Sequence, residues 1–340
     1  MSCRDRWGQR PYSKVPGSED ARSLGLSQRM RRRRRGDDPG SAVTGPPESP
    51  TPSLLEPRVA RPADPRRIRT EEIFRASRFA EVFTGIHDFD MDEPEEDYPI
   101  FRMTFTTWVF LAQFPIPSYA RWLAERGSWA ADGFHRRTMQ HFNWQRRQRF
   151  PEHGGQWLLK MPFHLMELDT SMATCPDALF IQIHREPTQF MGSWNSLVER
   201  IRSLNSDRVV PSEVGAEQLS FMSRMLNRGI RFRESHPELE SRWVDVNYHE
   251  LVCDPMAVVE AIYGRFGWPV TRSTVNEMTG WLGQQAERRR RETRHQYTLD
   301  DYGLTHAGVD AAFAGYAKFL ATRNYVHDMK PMLTTRCDTP

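Results

Sequence analysis

The chain has 340 residues, of which 38% are hydrophobic and 27% are charged, a composition typical of a globular protein with one large or two small domains. No apolar run approaches the ~18–20 residues that span a bilayer, and the N-terminus lacks the apolar core of a secretory signal, which argues against a membrane or secreted protein. The four cysteines lie far apart without a CxxC pair, which argues against a zinc framework or a disulfide scaffold and favours a cytoplasmic protein.

The net charge of +3 combines two parts of opposite sign. Residues 1–70 contain 16 lysines and arginines against 8 aspartates and glutamates, with 10 of the 24 prolines, whereas the other 270 residues contain 31 against 36. Such a stretch buries too little apolar surface to offset chain entropy, so residues 1–69 are predicted to be a mostly disordered tail. Its run Arg31–Arg35 is either a solvated charged segment or a binder of nucleic acid or anionic lipid, and no interleaved aromatic residues support nucleic-acid binding.

The chain from residue 70 to residue 150 is predicted to be helical. A helix begins near Thr70, and an apolar helix is expected over residues 100–114. Two prolines then interrupt the pattern, and Ser118 is expected to cap a short helix. Residues 130–150 again show apolar and aromatic side chains at helical spacing.

Three short apolar runs follow, and each precedes a helical segment. Residues 157–160, 178–183 and 243–246 form these runs. Helical patterns follow at residues 163–173 and 188–204, and a third helix has Asp254 as its cap and Pro255 as its first residue. Strands that alternate with helices at such spacings indicate an α/β fold with a parallel sheet.

Charged and titratable side chains follow two of these predicted strands. Lys160 ends the first run, with His164 four residues later, and Arg185 ends the second, with Ser193 two turns into the next helix. In open parallel sheets, ligands bind at the carboxyl ends of strands, beside the free N–H groups of the following helix. Arg185 and Ser193 could therefore hold one phosphate or sulfate. The alternatives are that Arg185 is an ordinary surface cation and that His164 is a partly buried, hydrogen-bonded histidine.

Several segments in collinear order resemble a known family. They are residues 86–88 (IHD), 92–96 (DEPEE), 114–119 (FPIPSY), 157–165 (WLLKMPFHL), 176–178 (PDA), 182–187 (QIHREP) with Ser193, 247–252 (NYHELV) with 254–255 (DP), and 295–304 (HQYTLDDYGL). Together they are similar to the bacterial-type sulfotransferases that use 3′-phosphoadenosine 5′-phosphosulfate (PAPS). The resemblance covers about residues 70–325. It implies a P-loop-type three-layer α/β fold, with many helices flanking a parallel sheet.

The resemblance also implies an activity and a set of site residues. The expected reaction transfers a sulfonate from PAPS to a hydroxyl or amine of a small-molecule, lipid or glycan acceptor. Arg185 and Ser193 match the family's pair on the donor's 3′-phosphate, and Tyr248 matches a tyrosine near the adenine, with a core aromatic as its alternative. Lys160 would face the transferring sulfonate or the departing oxygen, and His164 lies near the position of the catalytic histidine of the family's cytosolic branch.

The sequence departs from the family where the first strand and its anion-binding loop should lie, near residues 45–55. Glu48 stands where a cation belongs, and Pro50 and Pro52 remove backbone N–H donors. The first strand and loop are therefore expected to be degenerate or missing. This leaves three hypotheses open: an active sulfotransferase, a catalytically impaired sulfotransferase-like binding protein, or a binder of nucleic acid or anionic surfaces through the tail.

The remaining expectations concern boundaries and metals. A sulfotransferase-like domain is expected over residues 70–325, followed by a C-terminal tail at 326–340. His249 and Glu250 are followed by Cys253 rather than histidine at the fifth position, so the HExxH motif is absent and no metal is expected. The basic segment 288–294 is either a solvated helix face or a source of positive charge near the 3′-phosphate.

Overall fold

The computed structural model of the chain describes residues 2–3, 65–76, 95–149, 157–290, 297–323 and 325. The expected anion loop near residues 45–55, the run Arg31–Arg35, the segments at 86–88 and 92–94 and the C-terminal tail at 326–340 lie outside these residues. None of the helices in the described ranges is both long enough and apolar enough to cross a membrane.

The fold is α/β, as predicted, with many more helical than strand residues. The described strands are β1 (Ser2–Cys3), β2 (Trp157–Leu158), β3 (Phe180–His184) and β4 (Trp243–Asn247). The first described helices are α1 (Pro65–Ala76), α2 (Tyr98–Arg102), α3 (Phe110–Gln113), α4 (Pro117–Arg126), α5 (Trp129–Arg149), α6 (Leu168–Thr174) and α7 (Pro187–Ser203). The later ones are α8 (Pro211–Ser235), α9 (Tyr248–Cys253), α10 (Pro255–Phe266), α11 (Arg272–Arg290), α12 (His306–Ala312) and α13 (Ala314–Leu320). Short 3₁₀ segments occupy Pro162–Met166, Pro237–Arg242 and Asp300–Tyr302.

Strands β3 and β4 are parallel, with Phe180 opposite Trp243 and His184 opposite Asn247. Alternate side chains therefore point to opposite faces of this pair. On one face, Phe180 and Trp243 stack with their ring centroids 4.3 Å apart and pack in one cluster with Phe232 of α8. On the other face, the valines of β4 pack against α10. Helices therefore pack on both faces of this parallel pair, in the three-layer arrangement that the resemblance implies.

Helix α8 organises the largest hydrophobic cluster, although its 25 residues were not assigned from the sequence. Its buried side chains Phe221 and Met225 share that cluster with Trp108, Phe163 and Phe313. These residues come from distant parts of the chain, so α8 fixes the helical layer against which the strands pack. Burial of each such side chain contributes about 1.5–3 kcal/mol relative to exposure.

Two predicted helices differ from the observed ones. The helix expected over residues 100–114 is divided into α2 and α3 by a turn in which Phe105 has a φ of 53°. The hydroxyl of Tyr119 accepts from the Thr107 amide at 2.9 Å and lies 3.1 Å from the Phe105 carbonyl oxygen, so a contact from α4 stabilises this turn. Ser118 is not a cap, because α4 already begins at Pro117 and has no side-chain cap.

Of three further predictions about the elements, one agrees with the structure and two differ. The Asp254 side chain caps α10 by accepting from the Ala257 amide, as predicted. Helix α1 begins at Pro65 rather than at Thr70. The first apolar run does form a strand, β2, but this strand pairs antiparallel with Ser2–Cys3. The described residues therefore place β2 in a different ladder from the parallel pair.

Gly215 in α8 provides a test of how closely α8 packs against the Asp300–Tyr302 segment. A Cβ atom at Gly215 would lie 2.1 Å from the Tyr302 carbonyl oxygen. Gly215→Ala is therefore expected to lower the free energy of unfolding by about 2–3 kcal/mol, because the backbone at Tyr302 or in α8 must move to make room for one methyl group. Urea unfolding monitored by circular dichroism measures this change.

The matched control is Gly280→Ala in α11, where a Cβ atom would meet nothing within 4 Å. Because alanine is the better helix former, this variant is expected to gain about 0.5–1 kcal/mol. Equal effects of the two substitutions would contradict the close packing at Gly215.

Candidate active site

Two of the residues predicted from the sequence meet at the carboxyl edge of the parallel pair. Arg185 follows the last residue of β3, and Tyr248 follows the last residue of β4. Because His184 lies opposite Asn247 in the ladder, the next residues of the two strands are neighbours. The guanidinium carbon of Arg185 lies 4.6 Å from the centroid of the Tyr248 ring. This cation–π contact holds a planar cation at the edge where ligands of parallel sheets bind.

Part of the Arg185 guanidinium lacks a partner. Its Nε atom is buried, and no hydrogen-bond partner is found for it among the described residues. Helix α7 begins two residues later, at Pro187, so the positive end of its dipole lies at the same edge. A buried, unpaired donor beside a helix N-terminus is an environment that favours a bound anion.

Ser193 is the seventh residue of α7 and is partly buried. The described residues show no hydrogen bond between its hydroxyl and Arg185, so the predicted pair is not in direct contact. At about 1.5 Å of rise per residue, the hydroxyl lies roughly 9 Å along the helix from Pro187. An anion held by both residues would have to lie between them.

Lys160 and His164 are brought to a second location, beside residues 96–97. The ammonium of Lys160 lies 2.9 Å from Glu96 Oε1, while 70% of the Lys160 side chain is exposed. The Lys160 carbonyl oxygen accepts from the Asp97 amide at 3.2 Å. An ion pair this exposed fixes a lysine only weakly, so Lys160 remains free to exchange Glu96 for another anion.

His164 is buried beside a carboxylate that it shares with a second histidine. Its Nε2 atom lies 3.3 Å from each Asp97 oxygen, and His135 Nε2 lies 2.9 Å from Asp97 Oδ2. Phe101 stacks on the His135 ring at 4.6 Å and meets the His164 ring edge-on at 5.9 Å. Nε2 of His164 is thus directed at Asp97, which leaves Nδ1 without a partner among the described residues.

The two histidines keep Asp97 ionised although its side chain is fully buried. Burial alone raises the pKa of a carboxyl group, but the charge and hydrogen bond of His164, together with those of His135, outweigh burial here. The pKa of Asp97 is therefore held well below its usual range. An ionised Asp97 orients the His164 ring.

A second pair of carboxyl groups lies close to this site. Asp132 Oδ2 accepts from the hydroxyls of Ser128 and Thr170, the latter at 2.8 Å, and Glu167 accepts from the indole N–H of Trp108. Burial raises the pKa of both carboxyls, and these hydrogen bonds offset that rise only in part. The two groups therefore resist ionisation, in contrast to Asp97.

The raised pKa of Asp132 predicts how its amide variant responds to pH. A carboxyl whose pKa is higher in the folded than in the unfolded chain stabilises the fold below the unfolded pKa of 3.8, and this stabilisation is lost as pH rises through the folded value. Asp132→Asn stays neutral and its amide oxygen can accept the same hydroxyls. We therefore expect the free energy of unfolding of this variant to increase relative to wild type between pH 4 and pH 7.

Urea titrations of Asp132→Asn and wild type at several pH values measure this difference. Glu167→Gln should show the same trend, because burial is the main cause at both positions. A stability difference that moves in the opposite direction with pH would show that Asp132 is preferentially ionised in the folded protein.

Two residues of this site were not identified from the sequence. Asp97 directly follows the acidic segment at 92–96, and His135 lies within the helical pattern at 130–150. The signal for Asp97 is its position, because it is the last residue of the acidic run and directly precedes α2. His135 carries no local signal, since its partner lies 38 positions away in the chain.

Two features singled out from the sequence remain: the His249–Cys253 segment, considered as a metal site, and the basic segment 288–294. Cys253 Sγ lies 3.6 Å from His249 Nδ1 on α9, and the described part of the chain contains no group of three or more metal-ligating side chains. Helix α11 reaches Arg290, so the basic segment begins within a helix. The other residues of that segment lie outside the described ranges.

Comparison with known proteins agrees with the resemblance given by the sequence. A family model described as "Sulfotransferase family" matches residues 32–272, a range that includes the departing segment 45–55. No curated protein sequence matches the chain at a significant level.

Two solved structures are similar to this one, both with a TM-score of 0.62. The chain is 31% identical to the sulfotransferase STF1 of Mycobacterium tuberculosis H37Rv, over 77% of this chain and 67% of that one. It is 28% identical to the sulfotransferase STF9 of Mycobacterium avium, over 76% of this chain and 64% of that one. The chain thus spans about two thirds of the length of each protein.

Proposed function

Because this chain belongs to the sulfotransferase family, we propose that it transfers a sulfonate from PAPS to a hydroxyl or amine of a small-molecule, lipid or glycan acceptor, in the cytoplasm. The observation that carries the proposal is the Arg185 guanidinium, stacked on Tyr248 at the carboxyl edge of the parallel strands with a buried, unpaired Nε. This arrangement suits an aromatic nucleotide with a phosphate group.

In this proposal Arg185 and Ser193 bind the 3′-phosphate of the donor, and Tyr248 lies near the adenine. A guanidinium forms short, charge-assisted hydrogen bonds to phosphate oxygens, each worth about 1.5–3 kcal/mol. The distance of Ser193 along α7 is compatible with a phosphate placed between the two side chains. The Tyr248 ring, more than a third exposed, offers a surface for base stacking.

Lys160 and His164 would act on the sulfonate itself. The acceptor oxygen attacks sulfur as the bond between sulfur and the bridging phosphate oxygen breaks, and the acceptor proton must leave. His164 accepts this proton at Nδ1, and Asp97 stabilises the resulting imidazolium. Lys160 leaves Glu96 and faces the negative charge on the departing phosphate. The ionised Asp97 and the exposed, weakly held Lys160 support these roles.

Calorimetry with adenosine 3′,5′-bisphosphate, followed by transfer of labelled sulfonate from PAPS to phenolic and aliphatic alcohols, tests the proposal. Micromolar binding with transfer would support it. Binding without transfer, in the wild type and with every acceptor, would favour the impaired binding protein that Glu48 and Pro50 suggest.

Absence of nucleotide binding would contradict the proposed function. In that case a salt-dependent shift of labelled DNA, lost on deletion of residues 1–60, would favour the third hypothesis, binding through the basic tail.

A further inference from the structure

A buried chain of hydrogen bonds passes through His184, the residue before Arg185. His184 Nδ1 lies 2.8 Å from the Tyr316 hydroxyl, and His184 Nε2 lies 2.7 Å from Asp245 Oδ1. The His184 side chain is only 1% exposed. Tyr316 belongs to α13, near the end of the described chain. None of these three residues has a role in the proposed reaction.

The donors and acceptors along this chain can be assigned from its charged end. Arg233 donates to both oxygens of Asp245, at 2.6 and 2.9 Å, which requires a carboxylate. Asp245 then accepts from His184 Nε2, and in that tautomer His184 Nδ1 accepts from the Tyr316 O–H.

The position of His184 makes these bonds important for Arg185. His184 is the last residue of β3, and both nitrogens of its ring have partners, Asp245 in β4 and Tyr316 in α13. Helix α13 packs against α8, so the contact from Tyr316 comes from outside the sheet. Arg185 is the next residue, and the direction in which it leaves the strand depends on how firmly His184 is held.

We propose that Tyr316 and His184 are positioning residues, which hold the backbone of Arg185 so that its guanidinium stays stacked on Tyr248 and open to the donor's 3′-phosphate. This inference rests on the proposed function, because it gives Arg185 the role of phosphate ligand. It adds that α13, far along the chain, completes the donor site without touching the nucleotide.

The test is Tyr316→Phe, which keeps the ring and removes only the hydroxyl. We expect the dissociation constant of adenosine 3′,5′-bisphosphate to rise by about five- to tenfold, as for the loss of one well-placed hydrogen bond. Binding of 5′-AMP, which lacks the 3′-phosphate, should change less than about twofold. In an Arg185→Ala background the substitution should have no further effect.

Tyr302→Phe is the matched control, because it also removes a buried tyrosine hydroxyl, one that donates to Glu199 Oε2 at 2.8 Å. Glu199 lies fourteen residues beyond Arg185, so this control should leave both nucleotide affinities unchanged. Equal weakening of the two nucleotides by Tyr316→Phe, or an undiminished effect in the Arg185→Ala background, would overturn the positioning role.

Hydrogen exchange of the Arg185 amide separates this inference from the proposed function. Faster exchange in Tyr316→Phe, but not in Tyr302→Phe, would support the positioning role even if the wild type bound no nucleotide and the proposed function failed. Unchanged exchange would overturn the inference whatever the nucleotide result.

Discussion

Replacement of Arg185 by alanine is expected to weaken the binding of adenosine 3′,5′-bisphosphate at least about 100-fold. The substitution removes two or more charge-assisted hydrogen bonds to the 3′-phosphate, each worth about 1.5–3 kcal/mol, and a loss of 2.7 kcal/mol already corresponds to about 100-fold. It also removes the cation stacked 4.6 Å above the Tyr248 ring. Isothermal titration calorimetry at fixed salt measures the change.

Two further variants distinguish the roles of charge and shape at this position. Arg185→Lys keeps the charge but loses the planar fork and the stacking, so binding should be weakened about tenfold. Arg224→Ala removes an exposed arginine of α8 and should leave binding unchanged, apart from a small general effect of net charge. If Arg185→Ala bound as tightly as Arg224→Ala, Arg185 would not be a phosphate ligand and the proposed donor site would be wrong.

Replacement of Arg233 by alanine is expected to cause the largest loss of stability, about 3–5 kcal/mol. Its side chain is 2% exposed and donates to both oxygens of Asp245 and to Glu240. The guanidinium also lies 4.5 Å from the Trp243 ring centroid. The substitution leaves the Asp245 carboxylate buried with only His184 as a partner, and an uncompensated buried charge is costly.

Arg228→Ala on the same helix is the matched control. Its guanidinium lies 4.0 Å from the exposed Asp169 carboxylate, so its removal should cost less than about 1 kcal/mol. Chemical unfolding of both variants measures the difference. Similar losses in the two variants would show that the Arg233–Asp245 pair adds little.

The same pair predicts a loss of stability in acid. Burial alone would raise the pKa of Asp245, but hydrogen bonds from His184 and Arg233 lower it to about 2. A lowered pKa gives stability that is fully present above the unfolded value of 3.8 and is lost as pH falls towards 2. Unfolding curves between pH 5 and pH 2 should therefore be less pH-dependent for Asp245→Asn than for wild type.

The parts of the fold that could be predicted from sequence are those with a local cause. The strand before Arg185 follows from the apolar run at 178–183, and the helix after it begins with a proline, a residue that suits the first helical position. The division of the helix over 100–114 has a distant cause, since Tyr119 stabilises the turn at Phe105 from α4. No pattern within residues 100–114 indicates that contact.

In the candidate site, too, only the contacts with a local cause could be predicted from the sequence. Arg185 and Tyr248 could be predicted to meet because parallel strands end at one edge. The shared carboxylate of His135 and His164 could not, because the three residues come from different segments and only packing brings them together. Tyr316 was missed for the same reason, since 132 positions separate it from His184.

That separation has a consequence for protein synthesis. The contact between Tyr316 and the strand end cannot form until the ribosome has added the 132 residues that follow His184. At 5–20 residues per second, this takes roughly 7 to 26 s. During that interval the His184 ring lacks its Tyr316 partner, so a nascent chain with β3 and β4 already paired is expected to hold nucleotide poorly until translation is nearly complete.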